Sequence, residues 1–281
     1  MKKFFKWLFI IFLVLILIII YARYVGTMGL ITKEYTIKDQ NIPTDFDGLK
    51  IVHFSDLHYN RAINIKKVKA VIKETNTINP DIVVFTGDLI DKDATISTQD
   101  YEELTNVLKE INAKYCKYAI LGNHDYEKGK DKVIKIYQDS SFTYLDNSHD
   151  IIYSKNNQKI FIGGTNTKTD NMTDLSKTMT TTEEENNVDY RIVLIHEPDI
   201  AEELTKDYQV NLILAGHSHN GQIRLPIVGA LYTPPYAKTY YDNYYNIDGT
   251  NLYISSGIGV SSINYRLFNH PSINFYRINK D

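Results

Sequence analysis

Apolar side chains dominate the start of the chain. From Trp7 to Ala22 the run is unbroken, and Phe4 and Phe5 extend it past Lys6, whose long stem can snorkel to an interface. Counted from Phe4 to Val25 it is long enough to cross a bilayer. Lys2, Lys3 and Lys6 precede it and only Arg23 closely follows, so the positive-inside rule predicts a cytoplasmic N-terminus with residues 26–281 outside the cell membrane. A cleaved signal peptide has a similar layout, and Thr27-Met28-Gly29 is a passable small-x-small site. That site lies well beyond the apolar run and past Arg23, which favours an uncleaved single-pass anchor over residues 1–25. A core helix would need a polar break to give a solvated face, and none is present.

The remainder follows a different rhythm. Residues 26–47 read as a linker with a first strand at Thr32–Lys38 and a turn-rich Asn41–Gly48. From 48 to 281, short β-rich runs alternate at first with helical spacings. Lys50–Phe54 precedes Ile63, Ile65, Val68, Val71 and Ile72; Asp81–Thr86 precedes Tyr101, Leu104, Val107, Leu108 and Ile111. Tyr118–Leu121 precedes a short helix around Val133–Tyr137. Further strands are predicted at 159–162, 191–195, 212–215, 252–255 and 273–276. Early strand–helix alternation and a strand-rich second half predict an α/β domain with sheet at its centre. The stretch 165–189 is polar, rich in Thr, Asn and Glu, and reads as a loop or a lid with one short helix.

Charge narrows the partners. The net charge of −3 includes four cations and no acid in the first 25 residues, so the rest carries about −7. An acidic domain lacks the basic footprint of non-specific nucleic-acid binding. The single Cys116 excludes a disulfide framework and a multi-cysteine metal site, so any metal must be held by nitrogen and oxygen.

Five short runs of such ligands each follow a predicted strand. They are Asp56-Leu-His58, Gly87-Asp88-Leu-Ile-Asp91, Gly122-Asn123-His124-Asp125, His196-Glu-Pro-Asp and Gly216-His217-Ser-His219. Strand ends are where the loops of an open α/β sheet converge on one crevice. Imidazole, carboxylate and one amide carbonyl suit borderline or hard divalent ions such as Mn²⁺, Fe²⁺ or Zn²⁺. His217 and His219, one residue apart on a turn, cannot point the same way and more naturally serve two neighbouring ions.

In this order the runs D-x-H, G-D-x-x-D, G-N-H-D, H and G-H-x-H resemble the calcineurin-like metallophosphoesterases, over roughly residues 48–278. The stretches LAGHSHNGQIRLP, LYTPPY and SSGIG resemble the membrane-associated bacterial branch, some members of which hydrolyse UDP-diacylglucosamine, a pyrophosphate-linked lipid precursor. The resemblance implies a sandwich of two central β-sheets flanked by helices after the anchor, and a hydrolase using two divalent ions. Asp56, His58 and His219 would bind one ion, Asn123, His196 and His217 the other, and Asp88 both. His124 would act at the leaving oxygen as general acid, with Asp91 fixing its ring. Asn220 stands where the branch commonly has Gly, Ser256 where Arg is frequent, and Thr165 and Asn166 where acids are common.

The expected activity is hydrolysis of a phosphodiester or pyrophosphate bond in a lipid-linked substrate by water activated at the metals. A protein or nucleotide phosphatase on the same metals, or a non-catalytic binding module, are the competing readings. His53, His149 and His270 read as structural. Arg224 and Arg266 read equally as phosphate ligands or strand charges. The tyrosines at 232, 236, 240, 241, 244 and 245 read as packing or as an interfacial platform.

Overall fold

The computed structural model describes residues 1–185 and 187–281; Asn186, within the polar stretch 165–189, lies outside the described residues. Helix α1, Lys2–Ile20, continues as one wider turn over Tyr21–Val25 and buries none of its own side chains before Ala22. Lys2–Val25 is long and apolar enough to cross a membrane.

Two six-stranded sheets form the rest. The first holds β1 (Ile31–Lys38), β2 (Leu49–Phe54), β3 (Ile82–Thr86), β4 (Cys116–Ile120), β5 (Thr143–Tyr144) and the last strand, β14 (Ser272–Asn279), in the order β1-β14-β2-β3-β4-β5. All its pairings are parallel except β14 with β2. The second holds β6 (Ser148–Tyr153), β7 (Lys159–Gly164), β8 (Tyr190–Ile195), β9 (Leu212–Ala215), β12 (Tyr244–Ile247) and β13 (Thr250–Ile254), with parallel β7, β8, β9 and β13 bounded by antiparallel β6 and β12. A two-stranded hairpin, β10 (Arg224–Leu225) and β11 (Gly229–Ala230), stands apart. Because β1 pairs with β14 along its whole length, the first sheet begins at Ile31.

The uninterrupted apolar strands reflect burial on both faces. In β3, Ile82 and Val84 face the other sheet while Val83 and Phe85 face helices; in β8, Ile192 and Leu194 face inward while Val193 and Ile195 face outward. Helices α2 (Ile65–Ile78), α3 (Thr98–Lys109) and α4 (Asn123–Asp139) cover the first sheet, and α5 (Leu175–Met179) and α6 (Ile200–Asp207) cover the second. Asn64 caps α2 by accepting from the N–H of Lys67, and Ser97 with Asp100 forms a capping box on α3. The spacing at Val133–Tyr137 marks only the second half of α4. Its first half is polar and breaks at Gly129, where φ is 118°, so periodicity misses a helix that begins at Asn123.

The end of the apolar helix is docked on the domain. The N–H of Arg266 donates to Ala22 O at 2.9 Å, and Lys67 Nζ donates to Thr27 O at 2.8 Å. Gly26 lies so close to the Arg266 carbonyl that a Cβ there would sit 1.9 Å from its oxygen.

Leu214 is fully buried between the sheets. We expect Leu214→Ala in the full chain to lower unfolding stability by about 2–5 kcal/mol in chemical denaturation, the cost of a cavity between two rigid sheets. An unchanged midpoint would contradict the inter-sheet packing.

Candidate metal centre

The site sits at the C-terminal ends of β2, β3, β4, β8 and β9. Asp56 and His58 follow β2, Asp88 and Asp91 follow β3, Asn123 and His124 open α4 after β4, His196 follows β8, and His217 and His219 follow β9. Sharp turns aim these side chains inward. Asp56, His58, Asp88, His217 and His219 all have φ between 45° and 64°, a left-handed conformation costing an L-residue roughly 1–2 kcal/mol. Such strain persists only where surrounding bonds over-determine it.

Asp125 supplies much of that determination. Its carboxylate accepts the N–H groups of Asp88, Leu89 and Ile90 from one loop and of Gly122 from the next, at 2.8 to 3.2 Å. Asp56 does the same across the sheets, taking the His217 N–H on both oxygens at 3.1 Å. Gly122 cannot be replaced without displacement, since a Cβ there would lie 2.2 Å from Asp88 Oδ1 and 2.6 Å from His196 Cε1.

The ligand-type atoms gather in buried groups. Asp56, His58 and His219 form one and Asp88, His196 and His217 another. His58 Nε2 and His219 Nε2 face each other at 3.1 Å, and Asp56 Oδ1 lies 3.4 Å from the latter. Asp88 Oδ2 touches both groups, 3.6 Å from His58 Nε2 and 3.4 Å from His196 Nε2. His217 and His219 therefore do part company, one to each group.

The surroundings fix which ring nitrogens are free. His196 Nδ1 donates to Thr86 O at 2.6 Å, leaving Nε2 buried without a hydrogen-bond partner. His217 Nε2 donates to Pro235 O at 2.8 Å, which leaves Nδ1 as its lone pair. Asn123 Oδ1 is likewise buried and unpartnered. Buried acceptors without donors, converging on shared points beside carboxylates, fit a pair of divalent cations. The cluster is suited to a dinuclear divalent metal site.

Asp91 has a wider reach than the ring of His124. Its Oδ2 lies 3.3 Å from His58 Nδ1 and 3.5 Å from His124 Nδ1, while Oδ1 accepts from Arg61 Nη1 at 3.1 Å. Burial opposes its ionisation, but the neighbouring rings of His124 and His58 hold it well below the usual carboxylate range. For His124, burial favours the neutral ring, yet the charges of Asp88 and Asp91 prevail and raise its pKa.

Several contributors were not apparent from sequence. Asp125 ended a recognised motif without a role, and the carbonyl of Pro235 could not be singled out by residue type. Glu197, next to His196, accepts from Thr167 Oγ1 and from the N–H groups of Lys168 and Thr169 at 3.1 Å, tying the start of the polar stretch to the site. Thr165 and Asn166 are buried there. Asn220 has φ 48°, a left-handed position that Asn tolerates. Lys33 Nζ donates to Ser256 Oγ at 2.5 Å, bringing a cation from β1 to Ser256.

Arg266 is not a phosphate ligand. It is fully buried, its guanidinium bonded to the carbonyls of Ser256, Gly257, Gly259 and Asn269 and 3.2 Å from His219 Nδ1. Arg224 is paired with Asp242 at 2.6 Å. His53 is a core residue between Thr86 and Tyr276, kept neutral because burial pushes its pKa down to about 3. Tyr240 and Tyr245 pack edge to face at 5.0 Å against the second sheet's outer core.

A cavity of about 560 Å³ opens onto the cluster. Asp88, Asn123, His124, His217 and His219 line its base. Its walls include Ile223, Leu231, Tyr232, Pro234, Pro235 and Ile263, so Tyr232 alone of the six clustered tyrosines reaches it.

We expect protein purified with Mn²⁺ to approach about two metal equivalents per chain by elemental analysis, as a shared carboxylate between two triads requires. Asp88→Asn should lose most of both. One equivalent, indifferent to that change, would contradict the paired arrangement.

Known proteins agree with this geometry. A 36% identical relative from Bacillus subtilis, the uncharacterized metallophosphoesterase YkuE, aligns over 92% of this chain and 88% of its own length. The phosphodiesterase YaeI of Escherichia coli is 27% identical over 75% of each chain. A zebrafish protein named as a transmembrane protein with a metallophosphoesterase domain is 25% identical over 85% of this chain and 55% of its own. Among solved structures, the 5'-nucleotidase precursor of Thermus thermophilus superposes with a TM-score of 0.52 at 14% identity, over 75% of this chain and 49% of that one, a likeness of fold. A sequence profile described as calcineurin-like phosphoesterase matches residues 49–221. With the two-sheet frame, the paired ligand groups and these relatives in agreement, the chain belongs to the calcineurin-like phosphoesterases, metal-dependent hydrolases of phosphoric esters.

Proposed function

We propose that the protein is a membrane-anchored phosphoesterase that cleaves a phosphodiester or pyrophosphate bond in a lipid-linked substrate. The observation that carries this reading is the cavity. Its base is polar and metal-binding in character, its walls are largely apolar with Thr169, Gln222, Ser261 and Ser262 among them, and no Lys or Arg lines it among the described residues. A nucleotide polyphosphate or a phosphopeptide would want cations beside the metals to meet its further charges. A lipid-linked phosphodiester or pyrophosphate carries at most two phosphoryl groups, which a pair of metal ions can meet, and the rest of it is apolar. A pocket of this size and lining is within the usual range for small-molecule sites. The complete ligand set, with His124 beside it, speaks against a non-catalytic module.

In this reading Asp56, His58 and His219 hold one ion, Asn123, His196 and His217 the other, and Asp88 both. When bound, two divalent ions supply Lewis acidity toward phosphoryl oxygens and lower the pKa of water. Asp88 keeps its orientation because its Oδ1 accepts the His124 N–H at 2.9 Å. His124 lines the cavity, and its raised pKa suits it to give a proton to the leaving oxygen. Asp91 restrains His124 and His58 together, so a proton donor and a ligand share one support. The apolar walls exclude water around the scissile group. With three lysines before the apolar helix, the N-terminus is cytoplasmic and the catalytic domain lies on the other face.

Activity of the metal-loaded full chain should be compared across a lipid pyrophosphate, a glycerophosphodiester, a cyclic nucleotide and a phosphopeptide. Preference for either water-soluble nucleotide or peptide would defeat the lipid reading. His124→Ala should retain its metals yet lose about 10² to 10⁴ in rate on alkyl leaving groups, and far less on nitrophenyl ones. Equal losses on both would remove the acid role. Leu231→Ser combined with Ile263→Ser should reduce kcat/KM for the lipid substrate roughly tenfold or more while sparing a nitrophenyl phosphodiester.

A further inference from the structure

The β10–β11 hairpin is built in a way that neither folding nor solubility explains. It pairs Arg224 with Ala230 and Leu225 with Gly229, and its tip is Pro226-Ile227-Val228. Ile227 is 108% exposed and Val228 67%, values that no packing within this chain reduces. Ile227 also has φ 71°. A β-branched side chain strongly disfavours that left-handed conformation, and a turn through it is ordinarily made by Asn, Asp or Gly. Two apolar β-branched residues at a tight tip are therefore placed against both backbone preference and water. Such a feature is explained by a surface that covers it.

The base of the hairpin shows where that surface lies. Arg224 N donates to Leu267 O at 3.0 Å, and Leu267 N donates to Gln222 O at 3.3 Å. The preceding residue, Arg266, is the one whose N–H reaches Ala22 O in the last turn of the anchor. Two consecutive residues thus join the hairpin and the end of the apolar helix. Phe268, next in the same segment, is 62% exposed, and Tyr232 beyond β11 is exposed as well. Apolar tips with tyrosine and arginine set behind them are the composition of a segment at a membrane interface.

We propose that the hairpin tip, together with Phe268, enters the lipid bilayer beside the anchor. The domain then has two points of membrane contact, and the cavity wall formed by Ile223, Leu231, Tyr232 and Ile263 opens at the lipid surface. The proposal rests on the membrane anchoring in the reading above and not on the substrate assigned there.

The test uses the full chain in nanodiscs of phosphatidylcholine and phosphatidylglycerol. Cys116→Ser removes the single native thiol, and Ile227→Cys provides one for an environment-sensitive NBD label. Asn157→Cys, in the exposed turn between β6 and β7, gives the reference label. Bound metal equal to wild type establishes that each variant is folded. The label at 227 should emit at shorter wavelength and be quenched several-fold more than that at 157 by lipids carrying a doxyl group near the headgroup end of the chain. Equal quenching at the two positions would overturn the proposal. A blue shift at 227 that vanishes at one chain per nanodisc would also overturn it, because the covering surface would be a second copy. Quenching involves no hydrolysis, so a chain that shows it yet prefers water-soluble phosphoesters keeps the docking surface and loses the lipid substrate.

Discussion

Four main-chain N–H groups from two loops converge on the carboxylate of Asp125, and the placing of the clustered ligand-type side chains depends on that convergence. The loops after β3 and β4 leave the sheet deep in the domain, where main-chain donors must find partners. Asp125 satisfies them and fixes Asp88 between the two groups of ligands. Asp56 repeats the device between the sheets through His217. These hydrogen bonds oppose the cost of roughly 1–2 kcal/mol for each left-handed residue, so the left-handed turns persist and their side chains meet.

How much of this was legible in the sequence follows from the range of the interactions involved. The strand runs at Lys50–Phe54, Asp81–Thr86 and Arg191–Ile195 are local signals, and strands appear there, since continuous apolar runs report burial on two faces. Each ligand motif is likewise contiguous, which is why the residues of both groups could be named from spacing and resemblance. The start of α4 was hidden because Asn123–Lys128 is polar and Gly129 breaks the period. Arg266 shows the limit most plainly. A lone Arg in a loop reads as a free charge, and only the folded chain reveals four carbonyls closing around it. The tyrosines separated in the same manner, with Tyr245 donated to by the N–H groups of Tyr241 and Asp242 while Tyr232 faces the cavity.

The cavity joins two kinds of chemistry through short connections. Gln222 and Ile223 lie only a few residues beyond His219, so the turn that aims a ligand inward also begins the apolar wall. Gly257 and Gly259 allow the segment after β13 to press against His219 and His58, where added Cβ atoms would lie 2.7 Å from His219 Nδ1 and 2.3 Å from Leu57 O. A polar floor and an apolar wall are thereby held in fixed relation by backbone contact, without relying on long side chains.

The position of β14 bears on how the chain acquires its structure. This strand follows all the others in sequence, yet it lies inside the first sheet, with β1 on one side and β2 on the other. Until Ser272–Asn279 has left the ribosome, β1 has no partner and β2 has an open edge. Contacts so distant in sequence form slowly. Closure of the first sheet is then a late event, and loss of Ser272–Asn279 would leave that sheet split in two.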